Sequence, residues 1–326
     1  MAPTRFSIVV TSHNQREFIT DAVESALAQD YSDREVIVVD DASSDGSDAI
    51  VEQYSDRAKV VKFRHNVGPS AARNGGAAVS SGDYLAFLDG DDALKRWALA
   101  AYDHIIQKYR PVVILATLTW FQGVLPVDAD PDPPREIELV NYDYLAQKDR
   151  SYRSSASALV IERDAFDEVA GWDANVCPFE DQHLEAKLAF SGRAITVVSP
   201  RTVFYRLHAS NTIHDVPKIV AGCYGFVSAR LPKSRAANLA EDLGRKAIIG
   251  GPAFWAVKKA VRASLYGEAA KLMMHVSPWV AAAALVRLRS KLTGLRPTEK
   301  IDFDLHSGVP IVNDGRIAAV AGGSSG

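Results

Sequence analysis

The first 90 residues alternate between apolar, β-branched runs and segments with helical spacing, and this alternation restricts the possible fold most strongly. Four such runs occur, at Phe6–Thr11, Glu35–Val39, Lys59–Phe63 and Tyr84–Leu88. Between them, apolar side chains recur every three or four residues, as in Phe18–Gln29, a pattern typical of amphipathic helices. Strands separated by helices of about a dozen residues predict βαβ units. We therefore predict an α/β fold, with a mostly parallel sheet and helices on both faces.

Polar side chains follow the carboxyl end of each of these four strands. They are Thr11 and His13, Asp40 and Asp41, Asn66, and Asp89 and Asp91. Ligands of open α/β sheets bind outside the carboxyl ends of the strands, so we expect these residues to lie close together. A nicotinamide-dependent dehydrogenase is disfavoured, because no GxGxxG motif follows the first strand.

Three carboxylates lie within four positions after the fourth strand, at Asp89, Asp91 and Asp92. Like charges this close raise one another's pKa unless a cation lies among them. Gly90 is expected to let the backbone turn, so that Asp89 and Asp91 face one point. Their hard oxygen atoms suit Mg²⁺ or Mn²⁺. The alternative is an acidic turn that caps the helix predicted to begin near Lys95.

Composition limits the class of protein and its compartment. The chain has 326 residues, 47% of them hydrophobic and 24% charged, which fits a globular α/β domain with an appendage, or two domains. Cys177 and Cys223 supply neither a disulfide framework nor a CxxC metal site, which favours a reducing compartment. We predict no signal peptide, and no membrane-spanning helix because no stretch reaches roughly 18 apolar residues. Nothing in the sequence predicts a nucleic-acid partner.

Six motifs stand in order between Phe6 and Asn211: SIVVTSHN, EVIVVDDASSDGS, NVGPSAARNGG, YLAFLDGDD, GWD followed by FEDQHL, and RLHASN. In this order they resemble the GT-A family 2 glycosyltransferases. The resemblance implies a GT-A fold and a metal-dependent enzyme that transfers a sugar, with inversion, from a nucleotide-diphosphate donor to an acceptor hydroxyl. It favours a UDP-sugar as donor and a saccharide or lipid-linked saccharide as acceptor. The implied process is the synthesis of cell-surface polysaccharide or glycolipid.

The resemblance also implies roles for individual residues on the donor side. Thr11, His13 and Asp41 occupy the positions that hold uracil and ribose, although an aromatic residue is frequent at the place of His13. Asp91 would bind Mn²⁺ or Mg²⁺ directly. Asp89 would bind the ribose or a metal-bound water.

Three further positions carry an implied role and an open alternative. Arg73, within the segment matching GxxxARN, would approach the base or the diphosphate as a charged donor; the alternative is a surface ion pair on a helix. His208 lies in the late polar loop that closes over the diphosphate, where it is a candidate metal ligand, or else a solvated loop residue. Trp172 stacks against a sugar face or belongs to the core.

Glu180 and Asp181 match the carboxylate pair of the family, one of which, usually the Asp, is the catalytic base. An inverting transfer needs such a base to accept the proton of the attacking hydroxyl, and a cation to neutralise the departing diphosphate. The alternative is that both carboxylates only stabilise the N-terminus of the following helix.

Three other functions remain as alternatives. A sugar-nucleotide nucleotidyltransferase shares the sheet and the acidic metal site, but the chain has no Gly-rich, Lys- or Arg-bearing loop after its first strand. A phosphatase of the DxD type would carry its nucleophile after the first strand, whereas the acidic trio follows the fourth. A non-catalytic adaptor could retain the fold to bind a nucleotide.

Charge is distributed unevenly along the chain. Residues 245–300 hold eleven Lys and Arg against two acidic residues, a charge of +9, while the remainder carries −12. We therefore divide the chain into a catalytic domain (1–215), a basic helical region (216–300) and a flexible tail (301–326).

The basic region has an amphipathic pattern. Its apolar positions share one helical face beside Lys258, Lys259 and Arg262; they are Phe254, Val257, Val261, Leu265 and Leu272. The apolar run Val276–Leu285 is too short to span a membrane. This pattern predicts contact with an anionic membrane surface, which would place a cytoplasmic protein at the inner face of the plasma membrane. The alternative is a helical pair that packs on the catalytic domain or on a second subunit.

Overall fold

The structure, a computed structural model, describes residues 2–126, 133–141, 155–189, 191–229, 239–292 and 299–303. The Pro- and Asp-rich run at residues 128–134, which the sequence predicts as an exposed loop, and the predicted tail therefore lie mostly outside the described residues. The N-terminal half contains the elements β1 (Phe6–Ser12), α1 (Ile19–Leu27), β2 (Arg34–Asp40), α2 (Ser47–Glu52), β3 (Lys59–Lys62), α3 (Pro69–Ala78), β4 (Tyr84–Asp89), β5 (Ala93–Leu94) and α4 (Ala98–Tyr109).

The second half begins with short strands and ends in long helices. Its strands and middle helices are β6 (Val113–Leu115), β7 (Leu118–Phe121), β8 (Glu136–Asn141), β9 (Leu159–Glu162), α5 (Arg163–Glu168), α6 (Glu180–Leu188), β10 (Ala194–Ser199) and β11 (Val203–Arg206). Three long helices and a last strand follow: α7 (Val216–Ser228), α8 (Leu239–Arg262), α9 (Tyr266–Leu292) and β12 (Glu299–Asp302).

Among the described residues, nine strands form one sheet in the order β12-β8-β10-β6-β9-β4-β1-β2-β3. The block β3-β2-β1-β4 is parallel, as the βαβ pattern predicts, whereas β9, β8 and β12 run antiparallel to their neighbours. The predicted α/β fold is therefore confirmed, with a more mixed sheet than expected. The antiparallel strands could not be recognised from the sequence because short apolar runs carry no information about direction.

The register of the parallel block brings the predicted polar residues to one edge. Thr11 in β1 lies opposite Asp89 in β4, and Ser12 lies opposite Asp40 in β2. The strands reach this edge in register because both faces of the sheet are buried: alternate side chains of β1, such as Ile8 and Val9, belong to the two different cores. A slip of one residue would exchange these faces.

The sequence also predicts one strand at Pro111–Leu118, but in the structure β6 lies within this run and β7 begins at its last residue. β6 pairs with β9 and β10 in the large sheet, while β7 pairs with β11 in a separate three-stranded sheet with the order β5-β11-β7. The small sheet matters for function because β11 leads directly into the loop that carries His208. It therefore positions this loop above the carboxyl ends of β1 and β4.

The helices α7, α8 and α9 pack on one another and on the catalytic unit around a separate apolar core. This core contains Val257 of α8 and Leu272 of α9, and it also includes Phe179 at the start of α6. Gly250 allows the closest approach of α8 to α9, because a Cβ there would lie 2.0 Å from the carbonyl oxygen of Trp279. The boundary predicted at residue 215 is thus crossed by a continuous apolar core.

One prediction for this region is wrong. The apolar residues between Phe254 and Leu272 do not share one helical face, because a turn separates α8 from α9; Val257 and Leu272 are buried, whereas Val261 is exposed. In addition, Tyr266–Val286 in α9 is long and apolar enough to cross a membrane, with a mean hydropathy of 1.4, by length and composition alone.

The start of the predicted tail belongs to the fold. β12 pairs with β8, so Ile301 and Asp302 extend the large sheet at its edge. Phe303 contacts the ring of His104 on α4, with ring centroids 5.7 Å apart. The predicted tail at residues 304–326 lies outside the described part of the chain.

His183 lies on the side of α6 that faces α7 and is only 1% exposed. Burial lowers its pKa from 6.5 to about 4, an effect that Lys187 strengthens and Asp173 opposes. The unfolded chain therefore binds a proton at His183 between about pH 6.5 and pH 4, while the folded chain does not. Stability linked to this residue is complete above pH 6.5 and is lost as the pH falls.

We predict that acidification from pH 7 to pH 4 removes roughly 2–3 kcal/mol of stability through His183, since each pKa unit corresponds to about 1.4 kcal/mol. Urea unfolding of His183→Leu should lack this part of the pH dependence. The exposed His65 provides the control variant, His65→Leu, which should follow the wild type. An unchanged pH dependence in His183→Leu would contradict the prediction.

Candidate active site at the carboxyl ends of β1, β2 and β4

The acidic loop after β4 is held close to the end of β1. The N–H of Gly90 donates to the carbonyl of Thr11 (2.8 Å). A Cβ at position 90 would lie 2.4 Å from Oε1 of Gln15 and 2.9 Å from the Thr11 carbonyl oxygen. Glycine is therefore required here because the backbone passes so close to β1, and not for the special turn that the sequence suggests. This approach places Asp89 and Asp91 over the end of β1.

Arg73 lies between the two carboxylate sites that the sequence predicts. Its Nη2 donates to Oδ1 of Asp89 (2.6 Å) and its Nη1 to Oε1 of Glu180 (3.4 Å). The guanidinium is 4.7 Å from the ring centroid of Trp172, and the residue is 5% exposed. Burial lowers the pKa of Arg73, but Asp89 and Glu180 raise it more strongly, so the net shift is upward. Arg73 is therefore a buried, permanent cation.

Arg73 is therefore not the surface ion pair that was the alternative, because its guanidinium is buried and engaged with protein carboxylates. Its contact with the base or the diphosphate stays a prediction. Trp172 belongs to the core: it is buried and contacts Phe87 edge to face. Asn74, next to Arg73, exchanges two hydrogen bonds with the backbone of Trp172, at 2.8 and 2.9 Å. The segment that matches GxxxARN therefore fixes α3 to the loop before α6.

Asp91 and His208 meet across the site. Nε2 of His208 lies 2.7 Å from Oδ2 of Asp91, and Nδ1 lies 2.8 Å from Oγ of Ser210. The imidazole stacks on the ring of Phe18, with centroids 4.8 Å apart. The late polar loop thus reaches the acidic cluster, and His208 is not a solvated loop residue.

Asp92 fixes the acidic loop and has no free oxygen. Its Oδ2 accepts from Oγ of Ser157 (2.6 Å) and its Oδ1 from the N–H of Arg206 (3.0 Å). Burial raises the pKa of Asp92 well above its usual range, with Asp91 and Asp89 adding to the rise. Ser157 also accepts from the N–H of Asp89 (3.0 Å). One serine therefore holds both ends of the acidic loop.

Arg206 connects this loop to α1. Its Nη2 donates to Oδ2 of Asp21 (2.6 Å) and its Nε to the carbonyl of Asp91 (3.0 Å). The guanidinium lies 4.8 and 4.6 Å from the ring centroids of Phe18 and Phe121. It is thus buried between two aromatic rings.

The end of β2 forms a second polar site. The carboxylate of Asp41 accepts from the N–H groups of Val67 (2.7 Å) and Gly68 (2.9 Å). Nδ1 of the exposed His13 donates to the Asp41 carbonyl oxygen (2.7 Å). Thr11 is buried and its carbonyl is used by Gly90. Asp41 and His13 therefore lie together, and Thr11 contributes chiefly through its backbone, beneath the acidic loop.

Glu180 and Asp181 occupy the first turn of α6, in different surroundings. Oε1 of Glu180 accepts from Arg73, whereas Oε2 of Glu180 and Oδ1 of Asp181 are buried acceptors with no hydrogen-bond partner among the described residues. Burial raises the pKa of Asp181 well above its usual range; Glu180 adds to this and Arg73 opposes it. A buried carboxylate oxygen without a donor is suited to accept a proton.

A divalent cation fits the acidic loop. One oxygen of each of Asp89, Asp91 and Asp92 lies within 4.8 Å of the others. Because both oxygens of Asp92 already accept hydrogen bonds, Asp91 and Asp89 are the residues left to ligate it, with His208 adjacent. Hard oxygen donors and excess negative charge suit Mg²⁺ or Mn²⁺.

The sequence did not reveal the residues that hold the loop, chiefly Ser157 and Arg206. Their partners are 65 and 114 positions away in the chain, and no local pattern reports such a distance. The one sequence feature that could have indicated this role is the cation Arg206, the first residue of the late polar motif RLHASN.

We predict that Ser157→Ala destabilises the fold by roughly 2–4 kcal/mol, because it leaves a buried N–H of Asp89 and an oxygen of Asp92 without partners. Urea unfolding measures this loss. Ser277→Ala is the matched control, since that exposed hydroxyl bonds only to a carbonyl one turn earlier; it should change stability by less than about 0.5 kcal/mol. Equal unfolding free energies for both variants would exclude Ser157 as the brace of the loop.

Comparison with known proteins agrees with this geometry. Residues 7–151 match the family model described as Glycosyl transferase family 2. The putative teichuronic acid biosynthesis glycosyltransferase TuaG of Bacillus subtilis is 41% identical over 93 residues, which cover 28% of this chain and 37% of that protein. The chain spans between 35% and 38% of the length of the first curated relatives it matches.

Solved structures show the same fold at low identity. The Staphylococcus aureus TarS fragment 1–349 in complex with UDP is 18% identical, with a TM-score of 0.53 over 94% of this chain and 98% of that one. The mannosyltransferase PcManGT of Pyrobaculum calidifontis, in complex with GDP-Man and Mn²⁺, is 19% identical, with a TM-score of 0.50 over 88% of each chain.

The family resemblance predicted from the motifs is thereby confirmed. The matched segment contains the acidic loop, Arg73 and the Asp41 site, and the likeness of fold extends through the C-terminal helices. Residues 7–151 match the glycosyl transferase family 2 model, within a chain that has the GT-A fold.

Proposed function

We propose that this chain is a metal-dependent, inverting glycosyltransferase that moves a sugar from a UDP-sugar to an acceptor hydroxyl. The observation that carries the proposal is the position of Arg73 between Asp89 and Glu180. A single buried guanidinium holds a cation-binding carboxylate loop and a separate carboxylate pair a few ångströms apart. A sugar transfer needs both functions side by side, one for the diphosphate and one for the attacking hydroxyl.

On the acceptor side, we assign the base to Asp181. Each of the two residues has one buried oxygen without a hydrogen-bond partner in the described structure, Oε2 of Glu180 and Oδ1 of Asp181. Because Arg73 donates directly to Oε1 of Glu180, its positive charge makes that carboxylate the weaker proton acceptor. The raised pKa of Asp181 makes its carboxylate a stronger base. In this role Asp181 takes the proton of the hydroxyl as its oxygen attacks the anomeric carbon.

On the donor side, Asp91 and Asp89 would hold Mn²⁺ or Mg²⁺, and His208 closes this side of the site. When bound, the cation would neutralise charge on the departing nucleoside diphosphate. Asp41 and His13 at the end of β2 are our candidates for contact with the ribose and the base. The TarS complex with UDP supports a uridine donor by similarity of fold alone, while the mannosyltransferase complex contains GDP-Man.

For the acceptor, we propose a saccharide or lipid-linked saccharide of the cell surface. The name of TuaG assigns that relative to teichuronic acid biosynthesis, and the match covers 37% of its length. We further propose a cytoplasmic location.

The proposal is tested by a thermal-shift screen of nucleoside diphosphates with and without Mn²⁺. A ligand that binds only the folded state raises the melting temperature by mass action. A rise in melting temperature that is selective for UDP and requires the metal supports the proposal. A rise that is selective for GDP would instead indicate a GDP-sugar as the donor. Release of diphosphate from a nucleoside triphosphate and a sugar phosphate would identify a nucleotidyltransferase. If none of the sugar nucleotides is hydrolysed, the result would favour a non-catalytic, nucleotide-binding adaptor.

We predict that Asp91→Asn abolishes metal-dependent donor binding, because the amide has no negative charge for the cation. Titration calorimetry with Mn²⁺ and UDP measures this directly. Asp56→Asn, at an exposed aspartate outside the site, should bind like the wild type. Unchanged affinity in Asp91→Asn would remove Asp91 from the metal site.

Asp181→Asn should lower kcat by roughly 10²–10⁴-fold, the usual contribution of a positioned general base, with donor affinity near that of the wild type. Glu180→Gln is the matched comparison and should lose less activity, since its carboxylate contributes through Arg73. Steady-state kinetics with saturating donor separates the two variants. A larger loss of kcat in Glu180→Gln than in Asp181→Asn would indicate that Glu180, and not Asp181, is the base.

A further inference from the structure

The outward face of α9 is apolar over several turns. Successive residues of a helix are rotated by about 100° about its axis. By this measure five residues lie within about 40° of one direction from the axis of α9; they are Met274, Pro278, Ala281, Leu285 and Leu288. All five are exposed, and the three large ones strongly so, at 72% for Met274, 58% for Leu285 and 60% for Leu288. We call these five residues the α9 stripe. It is about 21 Å long at 1.5 Å per residue.

The opposite face of α9 is already used by the fold. Leu272 and Val276 are fully buried against α7 and α8, about half a turn away from the α9 stripe. A helix that is apolar on all sides is normally buried on all sides. The α9 stripe is therefore a surface without its partner, and it differs from the face that the sequence pattern suggested.

We propose that the α9 stripe lies on an anionic lipid bilayer, with the helix axis in the plane of the membrane surface. Charge supports this partner: the exposed side chains of Lys258, Arg262 and Lys271 are carried by the same helical pair, within a segment of charge +9. Apolar helical surface beside lysine and arginine is the composition that binds at the interface of anionic membranes. Each basic residue near such a surface adds roughly fivefold to the affinity.

Charge also disfavours a second copy of the chain as the partner. A symmetric dimer brings the same patch of both subunits together, so the basic residues would face one another across the interface. A spanning orientation is disfavoured because Leu272 and Val276 would have to leave the core that α9 shares with α7 and α8. The bilayer surface requires neither change.

The test is sedimentation of the full-length protein with vesicles. Phosphatidylcholine mixed with phosphatidylglycerol should bind the protein at low salt, whereas phosphatidylcholine alone should bind it weakly, and high salt should reduce binding. The double variant Met274→Glu/Leu285→Glu should lower the partition coefficient by roughly tenfold or more, because both charges would enter the interface. Lys271→Gln, which removes one positive charge, should lower it by roughly fivefold, and only with the anionic lipid.

Val79→Glu is the matched control, since Val79 is 44% exposed in the catalytic unit; it should bind like the wild type. Binding of the double variant at the wild-type level would overturn the proposal, and so would a wild type that ignores anionic vesicles. If the wild type forms a dimer and does not bind vesicles, and the double variant is a monomer, the α9 stripe would be assigned to contact with a second copy of the chain. Retention in membranes after a carbonate wash would assign a spanning helix. None of these results depends on sugar transfer, so they are independent of the proposed function.

Discussion

The buried ion pairs of Arg73 are the interaction on which the rest of the site depends. Its guanidinium is almost fully removed from water, which is strongly unfavourable for an isolated charge. Asp89 and Glu180 compensate for this, and the Trp172 ring below it completes the surroundings. Since Arg73 belongs to α3, Asp89 to β4 and Glu180 to α6, this cation fixes three elements that are distant in sequence.

The charges around Arg73 also explain why donor and cation would bind together. Five carboxylates, at Asp89, Asp91, Asp92, Glu180 and Asp181, surround two buried cations, Arg73 and Arg206. Burial and the neighbouring carboxylates raise the pKa of Asp92 and of Asp181. A diphosphate adds further negative charge at the acidic loop, so we infer that it enters with a divalent cation.

The sequence predicted the strands and the strand ends well, because both depend on local patterns. The four apolar runs, the acidic trio and the carboxylate pair at Glu180 and Asp181 could all be read without a structure. The contacts that give these residues their chemistry could not. Ser157 and Arg206 act through partners that are distant in the chain, and Arg73 is buried by packing between α3 and α6 that no periodicity reports.

The C-terminal helices were harder to predict because two apolar faces occur on one helix. Periodicity shows that a face is apolar and does not show which partner covers it. The sequence pattern assigned the stripe from Phe254 to Leu272 to a membrane, whereas the structure buries Val257 and Leu272 inside the molecule. The face left exposed is instead the α9 stripe, where proline and alanine weaken the signal.

These helices also contact the residue that precedes the carboxylate pair at Glu180 and Asp181. Phe179, the residue before Glu180, stacks on Phe226 of α7 with ring centroids 5.0 Å apart, and it contacts Trp255 of α8 edge to face. The position of the first turn of α6, and hence of Asp181, therefore depends on α7 and α8. Since α9 packs against both, a surface that orients α9 also orients the carboxylate pair. A bilayer bound to the α9 stripe would then set the height of the acceptor site above the lipid, which is the geometry that a lipid-linked saccharide requires.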